Sequence, residues 1–123
     1  MSPSSDNQTS PYRPTPTPIY RQFEHDGGES SYQAVVHGGV VGCAGVIESF
    51  EGRVFLEDLV VTGNGSAREI EEGLIACIEG DLRQRGIREL VIEVCGLEEL
   101  LRSERYRDRI GKDDQGRVVL RLG

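Results

Sequence analysis

"TGNGSAREIEEGLIACIEGDLRQRG", residues 62–86, is where the chain changes its period. Just before it, "FEGRVFLEDLVVT" (50–62) is a β-branched, strand-like run, with Glu51-Gly52 marking a turn. Within it, Ile70, Leu74, Cys77, Ile78 and Leu82 fall at i, i+4, i+7, i+8 and i+12, one face of a helix. Ile75 widens that face, which predicts a helix packed on a sheet. Ser66-Ala67-Arg68-Glu69 reads as a capping box, with Ser66 as N-cap and Glu69 at the third helical position. Arg83 and Arg85 occupy the last turn, where cations suit the helix dipole, and Gly86 is a left-handed stop. "IRELVIEV" (87–94) follows as a buried strand. A helix between two such strands is a crossover, so strands 53–62 and 87–94 are expected to be parallel neighbours.

Working outward, "SYQAVVHGGVVGCAGVIES" (31–49) reads as a hairpin turning at Gly38-Gly39, with His37 a surface neighbour of the turn. "IYRQFEHDGGESS" (19–31) adds a first strand and another glycine turn, so the first half is an antiparallel meander of about four strands. After the crossover, "LEELLRSERYRDR" (97–109) reads as a second helix, "GKDDQG" as a turn and "RVVLRL" as one last strand. The fold class is therefore α/β (α+β): a mixed sheet built from a meander, a β-α-β crossover, a second helix and a final strand. All five prolines lie within residues 1–18, a stretch otherwise rich in Ser and Thr. That composition predicts a disordered tail over 1–18 and a single domain over 19–123. No apolar run follows the start, so no signal peptide is expected.

Twenty-one acidic residues against fourteen basic give a net charge of −7, which argues against nucleic acid as a partner. No apolar run is long enough for a bilayer span, so no membrane partner is expected. Cys43, Cys77 and Cys95 are odd in number and widely spaced, with no CxxC pattern. They read as reduced thiols packing as small hydrophobes in a cytoplasmic protein, and no metal site is expected.

"GGVVGCAGV" (38–46), "VFLEDLVV" (54–61), the helix and "RQRGIRELVIEV" (83–94) together resemble the GNAT superfamily of acetyl-coenzyme A-dependent N-acetyltransferases. The nearest rival is a small regulatory α/β domain of the anti-sigma-antagonist type. The resemblance implies a coenzyme A pyrophosphate loop of the form R/Q-x-x-G-x-G/A. The aligned residues are Ser66, Ala67, Arg68, Glu69, Ile70 and Glu71, so both required glycines are glutamates. If coenzyme A binds, the resemblance assigns it to Leu59, Val61, Ser66, Ala67, Arg68 and Ile70. It also implies a tyrosine acting as general acid, and Tyr106 in "YRDRIGK" has that neighbourhood with the following glycine one residue late. Only "HDGGESS" separates the first two strands, where the family inserts helices that help build its acceptor site.

Glu57 and Asp58 are adjacent on a strand and are expected to face opposite sides of it, one of them toward the cleft as a general base. Cys95-Gly96 ends the second parallel strand, where a ligand crevice often forms. Two functions follow. One is a catalytically silent GNAT-like domain, with no cofactor expected, that binds a protein partner or forms a homodimer through an edge left by a shortened sheet. The other is an active acetyltransferase using acetyl-coenzyme A, with Glu57 or Asp58 as base and Tyr106 as acid.

Overall fold

The structure, a computed structural model, describes residues 17–62 and 67–122. The expected tail over 1–18 therefore lies almost wholly outside the described residues, as does the N-cap position Ser66. Seven strands form one mixed sheet in the order β1-β2-β3-β4-β5-β7-β6. They are β1 (Ile19–Glu24), β2 (Glu29–Val36), β3 (Gly39–Glu48), β4 (Val54–Val61), β5 (Glu89–Ile92), β6 (Ile110–Lys112) and β7 (Val118–Arg121). The helices are α1 (Ala67–Gln84) and the four-residue α2 (Glu98–Leu101).

The meander and the crossover are as the sequence predicts. β1 to β4 pair antiparallel in succession, and β4 runs parallel to β5 with Val54, Phe55 and Leu56 opposite Leu90, Val91 and Ile92. Strand alternation sends Tyr32, Ala34, Ala44, Val46, Val54, Leu56, Leu90 and Ile92 to one face. There they meet Ile70, Leu74, Ile75, Ile78 and Leu82 of α1 in one continuous core. Close approach needs small partners at two places. A Cβ on Gly42 would lie 2.9 Å from Ile70 Cγ2, and one on Gly73 would lie 1.8 Å from the Tyr20 hydroxyl.

Four expectations are corrected. The β2–β3 turn is His37-Gly38, not Gly38-Gly39: both have positive φ (51° and 81°), so His37 itself adopts the left-handed conformation a two-residue turn demands. The second helix stops at Leu101, and turns then lead to a 3₁₀ segment at Arg107–Arg109. A continued helix would present Glu104 and Arg105 to the core, whereas the turns bring Tyr106 there, fully buried. The chain ends in a hairpin, β6–β7, and not in one strand. That hairpin makes the three-residue β6 the edge of the sheet on this side, in place of the single last strand that was expected. Cys43 and Cys95 are exposed and all three thiols are free, so only the half-buried Cys77 is packed as a small hydrophobe.

The closing hairpin is organised by Asp113. Its Oδ1 accepts from the amides of Gln115 and Arg117, each at 2.9 Å, and its Oδ2 accepts from Arg117 Nε at 2.9 Å. Partial desolvation opposes the charge, but those two amides and the guanidinium prevail and hold the carboxyl down at about 2.

Candidate functional site

The site begins with an irregularity in β4. Gly45 pairs with Asp58 and Val46 with Leu56, so Glu57 is an extra residue, a β-bulge. The bulge overturns the expectation that Glu57 and Asp58 face opposite sides. Val54 and Leu56 are buried under α1, and burial resumes only at Leu59. Both carboxylates therefore stand exposed on the other face of the sheet. Asp58 lies against the backbone of Gly45, where an added Cβ would come within 2.9 Å of its Oδ2.

At the same point the parallel pair separates. The Glu93 amide donates to the Leu56 carbonyl at 3.0 Å, and past it no ladder joins β4 to β5. Glu57–Val61 thus borders an open cleft whose other lip carries the exposed Cys95 and Gly96. Leu59 turns its side chain into the core and Val61 is half-buried against it.

At the start of α1, Ala67 and Arg68 are exposed, and Ile70 is buried over Gly42. Arg68 Nη2 pairs with Glu99 Oε2 at 3.5 Å, tying this turn to α2. Glu69 is exposed. Glu71 is half-buried, and its carboxyl is raised above the ordinary value by burial, with Arg68 opposing and Glu72 adding to the rise.

Tyr106 sits on the α1 side of the sheet. The Arg109 guanidinium lies 5.3 Å from its ring centre and that of Arg105 5.8 Å. Burial raises its pKa; Arg105 and Arg109 oppose this, while Glu79 and Glu72 add to it. Its hydroxyl is buried and has no hydrogen-bond partner among the described residues. The structure thus sets Tyr106 under α1 and Glu57 and Asp58 on the opposite face.

Two features escaped the sequence reading. Glu79 is buried in the core layer, and its Oε2 accepts from Arg83 Nη2 and Arg109 Nη1, both at 2.8 Å. The signal was a carboxylate on an otherwise apolar helix face, three and four residues from Leu82 and Ile75. The second is a groove of about 680 Å³ on the open face, lined by Phe50, Phe55, Glu57, Glu93 and Arg117 among others. Phe55 and Glu57 are two apart on β4, a period-two pair that marked this face. Among the described residues no cluster of His, Cys, Asp and Glu could hold a metal ion, and no helix is long and apolar enough to cross a membrane.

Coenzyme A fits one end of this arrangement and not the other. The separated strands leave backbone along Glu57–Val61 for an extended ligand, whereas Tyr106 is sealed in the core. The phosphate end would meet Glu69 and an already destabilised Glu71 at the helix start, with Arg68 committed to Glu99.

No family model matches the sequence, and no curated protein matches it. Solved structures match in shape. A GNAT-family acetyltransferase from Staphylococcus aureus Mu50 superposes with a TM-score of 0.63 at 14% identity, over 80% of this chain and 70% of its own. The Escherichia coli ribosomal-protein-S18-alanine N-acetyltransferase gives 0.61 at 14% identity, over 81% and 72%. The PaiA N-acetyltransferase of Thermoplasma acidophilum, solved in complex with coenzyme A, gives 0.57 at 14% identity, over 76% and 60%.

Proposed function

The chain has the GNAT acyl-CoA N-acyltransferase fold, and on that scaffold we propose a catalytically silent domain that works by binding protein, either a partner or its own copy, in the cytoplasm. The observation that carries this reading is the acidic start of α1. Glu69 and Glu71 stand in the first turns of the helix, Arg68 is paired with Glu99, and burial raises the Glu71 carboxyl above its ordinary value. A second negative charge about 5 Å away would add roughly 3 kcal/mol at an effective dielectric near 20. That alone weakens binding about a hundredfold. The absence of helices between β1 and β2, where only the short Asp26–Gly28 turn stands, supports the same reading.

One observation favours a second reading, an active N-acetyltransferase. The Tyr106 hydroxyl has no hydrogen-bond partner among the described residues, which leaves it free to donate as a general acid if the core opens to a thiolate. In that reading acetyl-coenzyme A supplies the activated acyl thioester. Glu57 or Asp58 takes a proton from the acceptor amine. Leu59, Val61, Ala67, Arg68 and Ile70, with Ser66 from outside the described residues, make the cofactor wall.

Calorimetric titration with acetyl-coenzyme A separates the two. The silent domain gives no heat up to about 1 mM ligand, and a micromolar dissociation constant overturns it. The double variant Glu69→Gly, Glu71→Gly removes both charges and restores the family's glycines. It should lose stability, by up to about 1 kcal/mol per site, and gain affinity for coenzyme A.

A further inference from the structure

Both helices lie on one side of the sheet, and the other side has no covering element among the described residues. Phe50 is fully exposed at the rim of the 680 Å³ groove, and Ile19, Phe23 and Val60 also stand exposed on this chain's surface. The groove presents Glu57 and Glu93 against one guanidinium, Arg117, while the carboxylate of its third acidic lining residue, Glu48, is paired with Arg85 at the end of α1. Asp58 stands beside them at the bulge. Glu57 and Asp58 take part in no ion pair among the described residues.

The molecule already shows what this surface accepts. Arg117 lies with its guanidinium 5.2 Å from the Phe55 ring centre and 3.7 Å from Glu93 Oε2. Phe50 lines the same groove as Glu57, and Glu57 and its neighbour Asp58 have no internal cation to answer them among the described residues. Two other occupants fit less well. Residues 1–16 carry one arginine and one aspartate, so they bring no net charge to answer the acids. A second copy pressed face to face would set its own Glu57 and Asp58 against these.

We propose that this open face, centred on Phe50, Phe55, Glu57, Asp58 and Glu93, is the docking surface for an extended, arginine-bearing segment of a protein partner. The proposal rests on the reading of the domain as a binding module and names where it binds. A guanidinium offers both halves of the match, a fork for the carboxylates and a plane for the ring. The groove of about 680 Å³ has room for a few side chains of an extended segment.

The test is fluorescence anisotropy of the full chain at 50 mM NaCl (about the low-salt end where such contacts are strongest) with a capped, fluorescein-labelled GGRLRGG peptide, against GGELEGG. The arginine peptide binds and the glutamate peptide does not. Glu57→Gln with Asp58→Asn weakens binding roughly tenfold, and Phe50→Ala weakens it roughly fivefold. Glu104→Gln with Asp108→Asn, two exposed acids on the helix side, leaves it unchanged. The proposal is overturned if the arginine peptide does not bind below about 1 mM, or if the helix-side pair weakens binding as much as Glu57 and Asp58 do. It is equally overturned if the protein sediments as a dimer that the Glu57/Asp58 variant dissociates, or if deleting residues 1–16 raises peptide affinity tenfold. Failure here is distinct from failure of the silent reading. Peptide binding with turnover of acetyl-coenzyme A would sink the silent reading alone, whereas neither peptide nor coenzyme binding would sink the docking surface alone.

Discussion

The two faces of this sheet are made by alternate residues of the same strands and meet opposite fates. Toward α1 the alternation yields a continuous core from Tyr32 to Leu122. Away from it, Val35, Val91 and Val119 are buried yet stand outside that core, and the row Phe55, Val91, Val119 runs across β4, β5 and β7 with Arg53 and Arg117 over the Phe55 ring. The difference teaches that the fold's stability is concentrated on one side. The open face is held by local contacts.

The largest test of that division is a pair of truncations. Ile78→Ala, at the centre of the α1 interface, should cost about 3 kcal/mol of unfolding free energy. Phe50→Ala, on the open face, should stay within about 0.5 kcal/mol. Urea denaturation measures both. Comparable losses would mean that the open face carries part of the core.

The helix face was legible because its periods are local. The spacing of Ile70, Leu74, Ile78 and Leu82, and the runs around Val54–Val61 and Ile87–Val94, announce their own partners. The open face was not legible, because what shapes it is a property of pairs. The bulge at Glu57 exists only in the register between β3 and β4. β6 has three residues, one of them Gly111, too few for any period to show. Helical propensity runs unbroken through "LEELLRSERYRDR", but burial of Tyr106 overrides it. Glu79 drew no notice in the sequence, because the partner that explains its burial, Arg109, stands thirty positions later. For Glu57 and Asp58, the side of the sheet on which they stand is set by the register between β3 and β4 and not by their adjacency in the sequence.

A smaller effect is expected where the edge strand meets the helix. Gly73→Ala ought to gain helix propensity, up to about 1 kcal/mol. Its Cβ would instead collide with the Tyr20 ring, 2.3 Å from Cζ, so the ring must leave its seat on α1. The net change should be a loss of about 1 kcal/mol. In a Tyr20→Ala background the same substitution should stabilise. If Gly73→Ala stabilises in both backgrounds, Tyr20 does not anchor β1 to the helix.

The Asp113 turn sharpens the comparison from the far end of the sheet. Its carboxyl titrates lower folded than unfolded, so the stability it contributes is present above the ordinary value near 3.8 and is lost as pH falls through about 2. Asp113→Asn should remove that acid-side loss. It should also speed amide exchange at Lys112 and Val118, the pair that closes β6 on β7. Unchanged exchange at those two amides would show that strand pairing holds the hairpin without the turn.

The smallest effect belongs to Glu71, and it bears on function. Its carboxyl is raised in the folded protein by burial, Arg68 opposing and Glu72 assisting. A raised folded value means that the folded state binds the proton more tightly than the unfolded chain does. The group therefore favours folding below its unfolded value near 4.5 and becomes a cost as pH rises through its folded value. Glu71→Gln should accordingly stabilise at pH 7, within the roughly 0.5 kcal/mol typical of surface changes, and the gain should vanish at pH 4. Thermal unfolding at both pH values measures it. A gain that persists unchanged at pH 4 would place its origin in packing and leave no charge penalty at the start of α1. The acidic turn would then offer no electrostatic reason to exclude a phosphate, and the silent reading of this domain would lose the observation that carries it.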